Sequence, residues 1–416
     1  MTPQQIQTIK ATVPVLQQHG ATITRVFYDA LFQAHPELLN IFNPVNQQNG
    51  RQASTLAASI LMYAAHIDQL GQLGPMVDRI THKHVSLDVR PEHYPIVGRH
   101  LLQAIETVLG QAATPQIMSA WAAAYTQLAE IMIGVEEGLN TKAAAQVGGW
   151  RGFKPFVVQG KTTESAVITS FVLAPKDGQA LPPFLPGQYL SVQMQVPGHT
   201  TQQIRQYSLS DAPNGRTYRI SVKREQGSAV PDGLISSHLH ADIQEGDEVL
   251  VHLPTGEFTL QDSDRPVVLL SGGVGITPMI SMLNSLIQTG STRRVLFVHA
   301  ALNREVHAFQ SHLNSVAASH TQIRKQVYYT VVTPQDRQGE DYDVEGLLRL
   351  ETLRAVLPDG DAEFYYCGPA GFAGAVERLL DQLQVLSDRR FTETFGPTPS
   401  FERKTQTFEP TVMAIA

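Results

Sequence analysis

One cysteine, Cys367, is all that the 416 residues contain. A disulfide within the chain is therefore excluded, and so is a cysteine-ligated iron–sulfur cluster, which takes several thiolates. Charged residues make up only 17%, and no Lys/Arg cluster stands out against a net charge of −7. Nucleic acid and anionic membranes thus find no electrostatic footing. No apolar run approaches the roughly 20 residues that span a bilayer. The start, Met1-Thr2-Pro3-Gln4-Gln5, lacks the basic and apolar regions of a signal peptide, so a soluble cytoplasmic protein is expected.

What is present is length and a change of period. At 42% hydrophobic, the chain should bury two or three domains. Residues 1–147 keep a helical period: Ile6, Ile9, Val13 and Leu16; Leu56, Ile60, Tyr63, Ile67 and Leu70; Tyr94, Val97, Leu101, Ile105 and Val108. Gly148-Gly149-Trp150-Arg151-Gly152 breaks it and reads as a linker over 148–152. Beyond, Val167–Leu173, Gln188–Val192 and Tyr218–Val222 are strand-like between Gly/Pro turns, which predicts a small antiparallel barrel over 153–262. From Arg265 apolar runs of buried-strand length alternate with helices, which predicts a doubly wound α/β domain over 263–397. Residues 398–416, rich in Pro, Thr and charge, read as a loose tail. The predicted fold class is multidomain: all-α, then antiparallel β-barrel, then α/β.

The strongest local signals lie in the second half. Gly272-Gly273-Val274-Gly275-Ile276-Thr277-Pro278 follows a buried strand and opens a helix. Such a turn brings bare backbone N–H groups and the positive end of a helix to a pyrophosphate. Cys367-Gly368-Pro369 follows another buried strand, at the same carboxyl edge of the sheet. Cys367 reads either as a small buried residue or as a thiol beside a nicotinamide. In Arg205-Gln206-Tyr207-Ser208, the Tyr207 ring can lie on an isoalloxazine, Arg205 can pair with phosphate, and Ser208 can hydrogen-bond the flavin. Pro186-Gly187-Gln188-Tyr189 and Gly233-Leu234-Ile235-Ser236 flank it.

With Glu393-Thr394-Phe395-Gly396-Pro397, these segments resemble the ferredoxin-NADP reductase superfamily in order and spacing. The resemblance implies one FAD held by Tyr189, Arg205, Gln206, Tyr207, Ser208, Gly233 and Ser236, and covered by Thr394, Phe395, Gly396 and Pro397. It implies a nicotinamide dinucleotide on Gly273, Val274, Gly275, Ile276, Thr277, Pro278, Cys367, Gly368 and Pro369.

In the first half, helical spacing aligns Val77, Ile80, His84 and Leu87, so His84 lies in an apolar stripe. A histidine so placed is a core residue or a buried heme ligand. Tyr28 sits mid-helix after Phe27, Gln52 stands one turn before Leu56, Phe42 falls at a corner, and Tyr94 heads its helix's stripe. Glu136 shares a face with Tyr125, Ala129 and Met132, an odd place for an unpaired carboxylate. Together these resemble a bacterial globin. The resemblance implies one heme b with His84 as the proximal iron ligand, Glu136 and Tyr94 as its partners, and Phe42, Tyr28, Gln52 and Leu56 around the distal side.

The order of globin, FAD barrel and nicotinamide domain resembles a flavohemoglobin. That implies a nitric oxide dioxygenase in which NAD(P)H reduces FAD, FAD reduces heme, and the ferrous heme with O2 oxidises NO to nitrate. Its catalytic residues would be Tyr94, Glu136 and Tyr28. Lys83 and Glu393 match family positions that tune heme and flavin potential, and read equally as solvated charge. Alternatives are an NAD(P)H-dependent flavin or ferric reductase and a heme oxygen carrier or sensor. The implied partners are O2 and NO, with no stable protein partner; a hydrophobic ligand could enter an apolar distal pocket. Thr394 stands where relatives often carry Cys. Asn303-Arg304-Glu305 offers both signs of charge and leaves NADH against NADPH open.

Overall fold

The computed structural model describes residues 1–42, 50–226 and 233–395. Gly396, Pro397 and the 398–416 tail lie outside the described residues. The chain divides into two compact units, one containing Met1–Phe153 and the other most of the remainder.

The first unit is built on helices. Thr2 opens Pro3–Ala11 with a capping box: its hydroxyl accepts from the Gln5 N–H, and the Gln5 side chain accepts from the Thr2 N–H. Helices Val13–Ala34, Arg51–Ala65, Gly74–Ser86, His93–Leu109 and Pro115–Ala144 follow. Proline stands in the first turn of most of them, where its missing N–H costs nothing. Their apolar faces bury Ile9, Leu16, Ile23, Phe27, Leu31, Leu101, Ile105 and Trp121 in one core, each large side chain contributing roughly 1.5–3 kcal/mol. Gly98 permits one close crossing. A Cβ there would sit 2.3 Å from the Tyr125 ring, and that approach lets the Tyr125 hydroxyl donate to Tyr94 O at 2.6 Å. The glycine-rich linker stays on the end of the last helix, where Arg151 pairs with Glu137 at 2.6 Å.

The barrel strands are β1 (Phe153–Thr163), β2 (Ile168–Pro175), β3 (Tyr189–Met194), β4 (Gln203–Ser208), β5 (Tyr218–Lys223) and β6 (Glu248–His252). They form one six-stranded sheet in the order β4-β3-β6-β1-β2-β5. A bridge between Leu209 and Ile220, and Ser210 N–H donating to Arg219 O at 2.8 Å, join the two edges. Closure of this kind removes exposed edges. Periodicity misses β6 and the long strand β1. A bulge between Val158 and Gly160 shifts its register, so its inward residues do not alternate cleanly.

The second sheet is parallel through its paired strands: β7 (Val267–Gly272), β8 (Val295–Ala301), β9 (Ile323–Tyr329), β10 (Val344–Glu345), β11 (Glu363–Cys367) and β12 (Arg390–Glu393), in the order β10-β9-β8-β7-β11-β12. The chain lays strands on one side of β7, then crosses to the other with β11. The gap between β7 and β11 is the topological switch point, where open α/β sheets bind ligands. A buried ion pair, Arg293 to Glu363 at 2.7 Å, secures the connection from the barrel. Arg293 also donates to Gln261 O and Arg265 O, and Ser263 donates to Glu363. Such a pair is tolerated because its hydrogen-bonding groups are met. Among the described residues, no helix is long and apolar enough to cross a membrane.

Candidate functional site

His84, on Gly74–Ser86, directs Nδ1 at Glu136 Oε1, 2.7 Å away. The carboxylate accepts, so Nδ1 carries the proton and Nε2 is the nitrogen left for a metal ion. Tyr94 donates to the same Oε1 at 2.6 Å. Its phenol is pushed well above the usual tyrosine range, first by burial and then by its bond to Glu136, so the proton stays on Tyr94. Glu136 is buried yet doubly hydrogen-bonded, which explains a carboxylate among Tyr94, Ala129 and Met132. Lys83, beside the histidine, is exposed.

Tyr28 and Gln52 meet. Burial raises the Tyr28 phenol, and a hydrogen bond with Gln52 partly offsets that. Phe42 stands edge-on to Tyr28, with ring centroids 5.9 Å apart. Phe32, which the sequence reading passed over, lies against both rings at 5.7 and 5.2 Å. Its signal was available: Phe32 is one helical turn beyond Tyr28. Leu56 and Phe42 are half-buried members of the same core, as are Val77 and Ile80, which also pack with the Tyr94–Met132 cluster. An imidazole hydrogen-bonded to a carboxyl group, with half-buried apolar side chains nearby, fits a flat hydrophobic macrocycle that takes a nitrogen ligand.

In the barrel, Arg205, Gln206 and Tyr207 are half-buried and Ser208 is buried. The Arg205 guanidinium bonds Ile204 O at 2.8 Å and the Gln203 side chain at 3.3 Å. Tyr189 starts β3 and is bridged to Thr255 through paired backbone bonds. Gly187, at φ +106°, brings the preceding turn close to Phe258 O and to the Met282 side chain. Gly233 and Ser236 open the helix Leu234–Ala241. The Ser236 hydroxyl is spent internally, donating to Gly233 O and accepting from Glu225 N. Two hydroxyls are left buried without a partner among the described residues, that of Ser191 on β3 and that of Ser237, one place beyond the predicted motif.

At the switch point two glycine turns interlock. A Cβ on Gly275 would fall 2.1 Å from Cys367 O and 2.7 Å from Gly368 N. Gly368 in turn lies against Gly272 and Phe372. Gly273 has φ +53°, and a Cβ there would meet nothing, so its backbone is the open part of the turn. Ile276, Thr277 and Pro278 turn their side chains into the core, and Val274 is half-buried against it. What this turn offers an anion is backbone N–H. Pro369, exposed, starts the helix Ala370–Gln382. Cys367 is fully buried, and burial, then Glu393, pushes its thiol well up. Across the sheet Ser271 is level with Cys367 and Cys367 with Glu393. Thr394 and the half-exposed Phe395 therefore leave β12 on the same sheet edge as the Cys367–Gly368 turn.

The Arg205–Ser208 strand and the helix that the glycine turn opens are tied to each other. Asp211, three residues past Ser208, accepts from Asn284 at 2.8 Å, and Ser281 donates to Asp211 O at 2.8 Å. Ser281 and Asn284 lie on the helix Ile276–Gln288, which the glycine turn opens. His312 donates to the same Asn284 at 2.7 Å. Nothing in local sequence announces this network.

Fold and site together define a heme- and flavin-containing oxidoreductase with an NAD-binding domain. The globin family matches residues 25–132, an oxidoreductase FAD-binding domain 155–260 and an oxidoreductase NAD-binding domain 269–378. A flavohemoprotein of Deinococcus radiodurans is 60% identical over 401 residues, covering 96% of this chain and 98% of that protein. One of Halalkalibacterium halodurans is 47% identical over 393 residues, covering 94% and 96%. A solved flavohemoglobin of Malassezia yamatoensis, with bound FAD and heme, superposes with a TM-score of 0.82 at 26% identity, covering 95% of this chain and 99% of that one. The FAD/NAD-binding domain of a nitric oxide dioxygenase from Vibrio cholerae is 40% identical at a TM-score of 0.54, covering 59% and 100%. The chain belongs to the flavohemoprotein family. Its cofactors are heme and FAD, with a nicotinamide dinucleotide as cosubstrate.

Proposed function

We propose that this chain is a nitric oxide dioxygenase, consuming NAD(P)H, O2 and NO and releasing nitrate. The observation that carries the reading is the His84–Glu136–Tyr94 cluster, present in the same chain as the interlocked glycine turns. When bound, the cofactors supply hydride acceptance, single-electron transfer and oxygen chemistry.

The residues prepare that chemistry. His84 presents Nε2 while Glu136 holds the Nδ1 proton, and the carboxylate makes the imidazole more electron-rich than a carbonyl acceptor would. That favours activating oxygen over storing it. Tyr94 fixes the carboxylate and keeps its own proton. Tyr28, positioned by Gln52, holds a donor on the distal side for a ligand that gains negative charge, with Phe42 and Leu56 excluding water. Lys83 and Glu393 adjust the local field. Gly273, Val274 and Gly275 present backbone N–H groups to a pyrophosphate. Ile276, Thr277 and Pro278 brace that turn from the core, and Cys367, Gly368 and Pro369 form its opposing wall. Tyr189, Arg205, Gln206, Tyr207 and Ser208 hold the flavin, helped by the Gly233–Ser236 turn and by Thr394 and Phe395.

An oxygen carrier would need no reductase. A free flavin reductase would need no buried carboxylate behind a histidine. Purified protein mixed with NADH, O2 and NO, with the heme spectrum recorded, should consume NO and form nitrate at a heme that NADH reduces. No nitrate from protein with intact heme and FAD would reject the reading.

A further inference from the structure

Three strands on one side of the switch point end together. Gly272 on β7 is level with Ala300 on β8, and Ala301 on β8 is level with Tyr329 on β9. The segments that follow, 302–309 and 330–343, therefore leave the sheet near the glycine turn, on the side away from β11. A dinucleotide with its pyrophosphate on that turn has one half towards β11 and the other towards β8 and β9. With the nicotinamide on the Cys367 side, the adenosine falls to these two segments. Its ribose is where NADPH differs from NADH, by a 2′-phosphate of about −1.5 to −2 charges at pH 7.

An arginine is the usual host for that phosphate. The two segments hold Arg304 and Arg337, against Glu305, Asp336, Glu340, Asp341 and Asp343. Both arginines are exposed, yet both are committed to Asp341, which is only 3% exposed. Arg304 Nε lies 3.6 Å from its Oδ1, and Arg337 Nε lies 3.7 Å from its Oδ2. Arg337 also pairs with Glu340 at 2.5 Å. The Gln310 side chain donates to Asp341 Oδ1 at 3.0 Å, and the Arg337 N–H donates to Oδ2 at 2.9 Å. Burial alone would raise this carboxyl. The two hydrogen bonds and then the two guanidiniums outweigh it and hold the group below the usual range, so it stays charged. A buried carboxylate stripped of its cations is strongly destabilising. Asp341 therefore keeps Arg304 and Arg337 where they are, and their charge is already met.

We propose that Asp341, with Glu340, is the specificity-determining residue that makes this chain take NADH in preference to NADPH. The inference rests on the reading of Gly273–Gly275 as the pyrophosphate turn. Asp341 acts by exclusion. It neutralises the two guanidiniums, and Glu305, next to Arg304, tips the local balance negative where a 2′-phosphate would lie. A 2′-hydroxyl is uncharged and meets no such repulsion. Specificity of this kind is set against the wrong ligand rather than by contacts to the right one.

ADP and 2′-phospho-ADP differ only by the phosphate in question. In calorimetry the holoprotein should bind the phosphorylated probe at least about 10-fold more weakly. Asp341→Asn should close most of that gap. Glu340→Gln, at an exposed position, tests the same balance if the buried variant folds poorly, and should close less of it. With ferricyanide as electron acceptor, the ratio of kcat/KM for NADH over that for NADPH should fall in the same order. Equal or tighter binding of 2′-phospho-ADP by the parent, or a gap unmoved in both variants, would overturn the proposal. Gly275→Ala should weaken both probes alike. Where it does, an unmoved gap condemns the proposal alone; where it moves neither probe, the reading of the turn falls with it.

Discussion

Tyr94 and His84 converge on a single oxygen of Glu136, the phenol at 2.6 Å and the imidazole at 2.7 Å. The oxygen they share is buried, and the Tyr125 hydroxyl bonded to Tyr94 O braces the group from behind. Removing its charge should be felt at the metal end of the ring. For Glu136→Gln we expect heme to be retained, NO consumption to fall by about 10- to 100-fold, and the heme midpoint potential to rise. Tyr94→Phe should move both in the same direction but less. Spectroelectrochemistry reads the potential; a value identical to the parent's in Glu136→Gln would show the carboxylate to be structural only.

The glycine turns make a paired test. Gly275→Ala drives a methyl into the Cys367–Gly368 peptide, so the turn must open and flavin reduction by NADH should fall by more than about 10-fold, the equivalent of some 1.4 kcal/mol of misplacement. Gly273→Ala meets no atom but must hold φ +53°, a strain of about 1–2 kcal/mol, and should lower stability with a smaller loss in rate. Stopped-flow reduction under anaerobic conditions separates them. Equal effects would mean that close packing at Gly275 is not what shapes the turn.

Asn284→Ala removes the donor to Asp211 and the acceptor for His312, costing about 1–3 kcal/mol if those groups are left unsatisfied. Because Asp211 follows the Arg205–Ser208 strand and Asn284 sits on the helix that the glycine turn opens, hydride transfer should slow while the O2 off-rate from the heme stays the same. A variant that slows neither step would remove this network from the mechanism.

Acid should weaken the reductase unit through two histidines. Burial, then Lys325, lowers the His307 pKa from 6.5 to about 3. His299, its ring centroid 4.9 Å away, is pushed well down by burial and by His307. Between those values the unfolded chain holds protons that the folded chain refuses. Stability is therefore full above about pH 6.5 and is lost as pH falls towards 3, at about 1.4 kcal/mol per pH unit for each histidine. Urea midpoints at pH 7 and pH 5 should fall less for His307→Gln than for the parent. An unchanged slope would show that His307 titrates normally.

Much of this was legible because it is local. Helical period placed His84 on its apolar stripe and Glu136 on a face with Met132, and strand-then-glycine order placed Gly272–Pro278 at the start of a sheet. What escaped depends on residues far apart in sequence. Gly98 looked like any helical glycine until the Tyr125 ring was found against it. Asp211 and Asn284 meet across 73 positions, and no periodicity encodes that. Nor does local sequence announce that the Ser236 hydroxyl donates back to Gly233 O within its turn. The strand β1 was hidden by its bulge.

The strand order has a consequence for biosynthesis. Domains fold as units, the N-terminal first, while the ribosome adds about 5–20 residues per second. The last helix of the first unit ends at Ala144, but β7 has only β8 for a neighbour until β11 arrives. The helices are thus translated well before the crevice at the switch point has a second wall. A product released before β11 would lack that wall, so the crevice is among the last features that translation supplies.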